Sequence, residues 1–203
     1  EQMRAMIVSG RVPVFGLAVG ICGMLIACQG PDPVRGFAEL SYAHHGLILL
    51  DVERIEVVNS YVPPGKLPNV EHLSPVSPLA TTKRWISDRL RAVGKTGIAK
   101  ATISRASIIE VPLKRTEGIR GVLTNDQAER YDGLIEISIQ IMGVRERIKA
   151  TVLVRASRSK TVAEDISRIE REKIWFVMTE SMMKDLNTTL QKQINANLSG
   201  FVR

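Results

Sequence analysis

The chain has 203 residues, with 28 lysines and arginines against 21 aspartates and glutamates, a formal net charge of +7. Two cysteines exclude a disulfide-stapled scaffold. Three histidines leave little material for acid-base or metal chemistry, and aromatic residues at 4% argue against a sugar-stacking platform.

In chain order, Arg4 and Arg11 precede an uncharged run from Val12 to Ala27 that contains Pro13 and three glycines. Charge, apolar run and a small residue before a cysteine form the layout of a secretory signal. A spanning helix needs roughly 20 apolar residues, more than this run supplies. Its last four residues, Leu25-Ile26-Ala27-Cys28, resemble the lipobox of bacterial lipoproteins, and the resemblance covers residues 3–28. It implies that residues 1–27 are a cleaved signal peptide and that Cys28 is the lipidation site. Two or more acyl chains, palmitate among them, give stable attachment at about 0.8 kcal/mol per buried methylene. Gln29 stands where an aspartate retains enteric lipoproteins at the inner membrane, so the outer membrane is favoured. The alternative is an uncleaved anchor or a buried core segment with an incidental cysteine.

Without residues 1–27 the chain has 176 residues and a net charge of +6, enough for a single domain with a sizeable core. Cys22 leaves with the signal, so no thiol remains for a disulfide. On an envelope protein the basic excess points to an acidic protein partner or anionic lipid, not to nucleic acid; a solvated surface is the bland alternative.

Residues 28–46 read as lipidated cysteine and tether, and 47–203 as one periplasmic domain. His44-His45 lacks a third ligand at metal spacing. Leu47 to Tyr61 reads as a first strand, with Asp51, Glu53 and Glu56 facing outward. Residues 62–80 hold five prolines and form an extended connection of the kind that faces partners. Thr81-Thr82 predicts a helix cap and Gly94 its stop, giving a basic amphipathic helix to Val93 with Lys83, Arg84, Arg89 and Arg91 towards solvent. Covering a sheet and lying on an anionic membrane both fit that pattern. Ile98 to Leu113 favours extended structure.

Lys114 to Asp132 reads as a loop with one helical turn, and its crowded polar residues Glu129, Arg130, Tyr131 and Asp132 make it a candidate partner-binding surface. From Leu134 to Met142 and from Ile148 to Ala156, isoleucine, valine and alanine alternate with polar residues, which predicts an antiparallel hairpin with one buried face. Ser167 with Glu170 predicts a capping box. Arg171, Trp175, Met178, Met182, Leu186, Leu190, Ile194 and Leu198 then recur at helical spacing, predicting one long helix over 168–198 that covers the hairpin. Its methionines would alternatively suit an adaptable groove.

The sequence lacks a GxSxG elbow, an HExxH motif and a phosphate-cradling glycine loop. A non-enzyme without cofactor or metal is expected. The predicted fold is α+β, a mainly antiparallel sheet covered on one face by two helices, the longer one C-terminal. Lipobox and element order together loosely resemble periplasmic auxiliary lipoproteins of envelope transport systems, which implies a non-catalytic accessory that binds another envelope protein. A lipid- or lipopolysaccharide-binding module is the alternative, with an envelope hydrolase behind it. Pro68-Asn69-Val70-Glu71-His72 and Glu129-Arg130-Tyr131-Asp132 resemble segments of an uncharacterised envelope-lipoprotein family that supplies no function.

Overall fold

The computed structural model describes residues 36–113, 127–143, 147–163 and 165–203. The lipobox with Cys28, the expected loop over 114–126 and the hairpin turn at 144–146 lie outside them. In chain order the elements are β1 (Ile48–Leu50), β2 (Arg54–Asn59), α1 (Pro78–Arg89), β3 (Leu90–Ala92), β4 (Ile98–Pro112), β5 (Gln127–Met142), β6 (Ile148–Ala163) and α2 (Arg168–Asn197).

The main sheet has the order β2-β4-β5-β6, parallel between β2 and β4 and antiparallel elsewhere. Alternation decides its faces. Tyr131, Ile135, Ile137, Ile139 and Ile141 of β5 point to one side, beside Ala99, Ala101 and Ile103 of β4 and Val152, Val154 and Ala156 of β6. A bulge at Ser104 shifts the register between Ile103 and Arg105, which keeps Ala106 and Ile108 on that buried side. Helices α1 and α2 cover this face, and the opposite face carries Lys100, Thr102, Ser138, Gln140 and Thr151. The α+β architecture, mainly antiparallel and covered on one face with the longer helix C-terminal, is thus as the sequence predicts. Each fully buried large aliphatic side chain contributes roughly 1.5–3 kcal/mol to it.

The long helix starts where expected. Ser167 Oγ accepts from the Glu170 N–H, and the Glu170 carboxylate accepts from the Ser167 N–H at 2.9 Å, closing the capping box. Trp175, Met178, Met182, Met183, Leu186, Leu190 and Ile194 are buried, so the methionine-rich stripe is core.

Two predicted elements differ from the structure. The single strand over 47–61 is two strands in two different sheets. At Asp51-Val52 the chain turns tightly, the Val52 N–H meeting the Leu50 carbonyl at 2.8 Å; β1 then pairs in parallel with β3, while β2 enters the main sheet. The first helix begins earlier and ends sooner than 81–93. Ser77 is its cap, accepting from the Ala80 N–H at 3.3 Å, and Pro78 occupies the first turn, where its missing N–H does no harm. Thr81 and Thr82 are interior, their hydroxyls donating back to the Ser77 and Pro78 carbonyls. Leu90 leaves the helix because Leu90–Ala92 is claimed by pairing with Ile48–Leu50. Gly94 is required by a close approach: a Cβ there would lie 2.5 Å from the Asp51 carbonyl carbon and the Val52 nitrogen.

The stretch expected as tether is packed from Gly36 onward. Tyr42 is buried, and its N–H and the Ser41 hydroxyl both donate to Asp88. Burial, with Glu180 and Asp88 nearby, pushes the Tyr42 phenol up to about 12. His44 and His45 sit in a single 3-10 turn, exposed, and among the described residues no group of three or more metal-ligand types converges.

Candidate functional site at the loop end of the sheet

Beyond Ile103 the edge of β4 has lost β2 as a neighbour, because β2 ends at Asn59. The proline-rich segment from Ser60 to Ser77 fills the vacancy by doubling back along it. Asn69 bridges Ile109 in antiparallel fashion, the Val70 N–H donates to the Ile108 carbonyl at 2.8 Å, and the Glu110 N–H donates to the Pro68 carbonyl at 2.8 Å.

Glu71 holds this arrangement in place. Its carboxylate is buried and accepts from the Tyr61 hydroxyl at 2.5 Å, from Asn69 Nδ2 at 3.2 Å and from the Ile108 N–H at 3.2 Å. One acid thereby ties the start of the loop, its middle and the neighbouring strand together. Burial and the hydrogen bond to Glu71 push the Tyr61 phenol well above its ordinary range. The result is a proline-rich loop with a polar root and an apolar rim: Val62, Leu67 and Leu73 are 80%, 65% and 50% exposed. Side chains so apolar on so constrained a backbone suit contact with a partner, since little conformational entropy remains to be lost on binding. His72, the titratable neighbour visible in the sequence, is exposed, and it is Glu71 that points inward.

The second candidate segment, Glu129 to Asp132, belongs to β5 and not to a loop. The strand pattern separates its members. Tyr131 points inward, fully buried, with its ring edge-on to Trp175 at 5.5 Å and its hydroxyl donating to Glu129 Oε2 at 2.9 Å. Arg171 of α2 donates to both Glu129 and the Tyr131 oxygen, with Glu110 at 4.0 Å. Arg130 and Asp132 take the other face as a bidentate pair, Nε to Oδ1 at 2.9 Å and Nη2 to Oδ2 at 2.7 Å, and Ser159 donates to Asp132 as well. These charges are spent on one another, so the four residues make no single partner surface. The helical spacing of Arg171 among apolar residues was the available sign that it faces inward.

The two segments meet. Val70 from the loop and Tyr131 from β5 pack with Ile108, Val162, Trp175 and Met178 in a satellite core at this end of the molecule. No protein-family model and no curated protein matches the chain. Among solved structures it is similar to protein XCC0632 from Xanthomonas campestris, described under the family-model name DUF330, at 14% identity over 79% of this chain and 93% of that one, with a TM-score of 0.25. At that score the likeness bears on neither fold nor function.

The basic helix also comes apart as a surface. Arg84 pairs with Glu39 at 2.5 Å, and Arg91 is exposed on β3. Arg89, expected towards solvent, is buried: its guanidinium donates to the His45 and Gly46 carbonyls and to Gln191, clipping the 3-10 turn to α2. These acceptors, which come from outside α1, offset the cost of burying the cation.

Acid should loosen this end of the molecule. Burial raises the Glu129 carboxyl, but hydrogen bonds from Arg171 and Tyr131 outweigh it and hold the pKa below 4.5. Hydrogen bonds from Ser104 and Arg155 depress Glu136 likewise. A depressed folded-state pKa adds stability that is present above 4.5 and lost as the pH falls through the folded value. We therefore expect the urea midpoint to drop below that pH. Arg171→Gln should be less stable at neutral pH and show a flatter acid limb; parallel curves for the two proteins would contradict the assignment.

Proposed function

We propose that this chain is a lipid-anchored, non-catalytic accessory protein of the cell envelope that works by holding another envelope protein. The observation that carries the reading is the Ser60–Ser77 loop, stitched to β4 and rooted on Glu71, with its apolar rim turned outward. The lipobox supports the anchor, and Gln29 favours the outer membrane as its site. Among the described residues no helix is long and apolar enough to cross a membrane; it is the lipobox that assigns attachment to acyl chains on Cys28. A lipid-carrying module calls for an apolar tunnel between sheet and helices; the side chains there form one interdigitated core of Trp85, the β5 isoleucines, Met182, Met183 and Leu186, which favours the binding role.

The test has two arms. In a Gram-negative host fed labelled palmitate, wild type should carry label and fractionate with membranes, and Cys28→Ser should lose both. A photo-crosslinking residue at position 67 should give a discrete membrane-protein adduct that Val62→Asp abolishes while the thermal melt is unchanged. An unlabelled wild type would sink the anchor, and a missing adduct would sink the loop.

A further inference from the structure

β6 is the outer strand of the four-stranded sheet, 16 residues long, with β5 on one side and no strand among the described residues on the other. An uncovered edge of that length offers a row of backbone donors and acceptors to any extended chain. Helix α2 packs over this strand, and an open groove of about 310 Å³ runs along their margin. Ile174, Val177 and Met178 of α2 form its apolar floor, Val177 being 45% exposed. Arg158 and Lys160 rise into it from the covered face of β6, opposite Gly133 and Tyr131, and Lys173 stands on the helix side. Arg158 is neutralised by Asp185, whereas Lys160 has no acidic partner among the described residues. From Arg147 to Ala163 the chain contains five cations and no acid.

We propose that this margin binds an extended, carboxylate-bearing peptide strand, which adds to the free edge of β6 and turns one alternate set of its side chains into the groove, aliphatic ones on the floor and acids beside Lys160 and Lys173. The charge selects acids. The open edge selects a peptide over an amphiphile, because an acyl chain has nothing to offer backbone N–H and C=O groups. The surface is separate from the Ser60–Ser77 loop and does not depend on the anchor.

The probe is a fluorescein-labelled ten-residue peptide with serine at every second position and valine and glutamate sharing the positions between, titrated into the full chain in mild detergent and followed by anisotropy. Saturable binding is expected, at least tenfold weaker for Lys160→Glu/Lys173→Glu, whose two sites are exposed, so the circular dichroism spectrum should be unchanged. Amide exchange in β6 should slow when the peptide is bound. Absence of binding, equal binding of the same peptide with lysine in place of glutamate, or binding without slowed exchange in β6 would each overturn the proposal. So would complete displacement by phosphatidylglycerol vesicles, which would make the groove a lipid site.

Discussion

Trp85→Ala should destabilise the domain by about 4 kcal/mol, a large share of the roughly 5–15 kcal/mol that holds such a domain together. Trp85 is fully buried in α1, and its indole N–H donates to Asn187 Oδ1 of α2 at 2.8 Å. One turn away, the Thr82 hydroxyl approaches Met183 Sδ at 3.4 Å. This pair of contacts makes the seam between the two helices. Truncation removes the largest side chain of the seam, opens a cavity in the core between the helices and the sheet, and leaves a buried amide oxygen without its donor. The thermal midpoint should fall by about 10 °C or more. Trp85→Phe keeps most of the aromatic volume but loses the hydrogen bond and part of the bicyclic ring, so a smaller loss of about 1–2 kcal/mol is expected. Urea denaturation followed by circular dichroism separates the two; equal losses would mean that the hydrogen bond, and not the volume, dominates the seam.

Glu71→Ala should be the second-largest loss, about 3 kcal/mol, and it should be local as well as global. The substitution strands three donors at once: the Tyr61 hydroxyl, the Asn69 amide and the Ile108 backbone N–H. Each unsatisfied buried donor costs roughly 1–3 kcal/mol, reduced where water can enter. Glu71→Gln retains one accepting oxygen but turns an NH₂ group towards another donor, so an intermediate loss is expected. The loop supplies an independent readout. Lys66 lies on it, and trypsin should cut there at least tenfold faster in Glu71→Ala than in wild type under native conditions. Unchanged proteolysis with lowered global stability would show that the loop is held by its strand-like bonds to β4 and not by the carboxylate.

Local pattern was enough to read the parts of this protein whose neighbours are close in sequence. The β5–β6 hairpin shows itself because isoleucine alternation and a short turn state both its period and its partner. The long C-terminal helix shows itself because Ser167 and Glu170 close a box within one turn and an apolar residue recurs every three or four positions after it. The break at Asp51-Val52 and the early end of α1 have one cause, invisible locally: Ile48–Leu50 and Leu90–Ala92, some forty residues apart, pair in parallel, and that bonding overrides both a continuous aliphatic run and a helical pattern.

The candidate site divides in the same way. The sequence by itself marked the proline-rich segment as an extended, non-helical connection, the aliphatic alternation as a covered sheet and Cys28 as the expected anchor. Which charges are available to a partner was settled only by tertiary structure. Glu129 and Tyr131 turn inward because β5 begins seven residues before its aliphatic alternation, and Arg171 is there to receive them. Arg89 turns inward because α1 ends against carbonyls of a segment more than forty residues upstream. A charged side chain reads the same in sequence whether it faces solvent or a buried partner; the difference lies in desolvation and pairing, which exist only once distant segments are brought together.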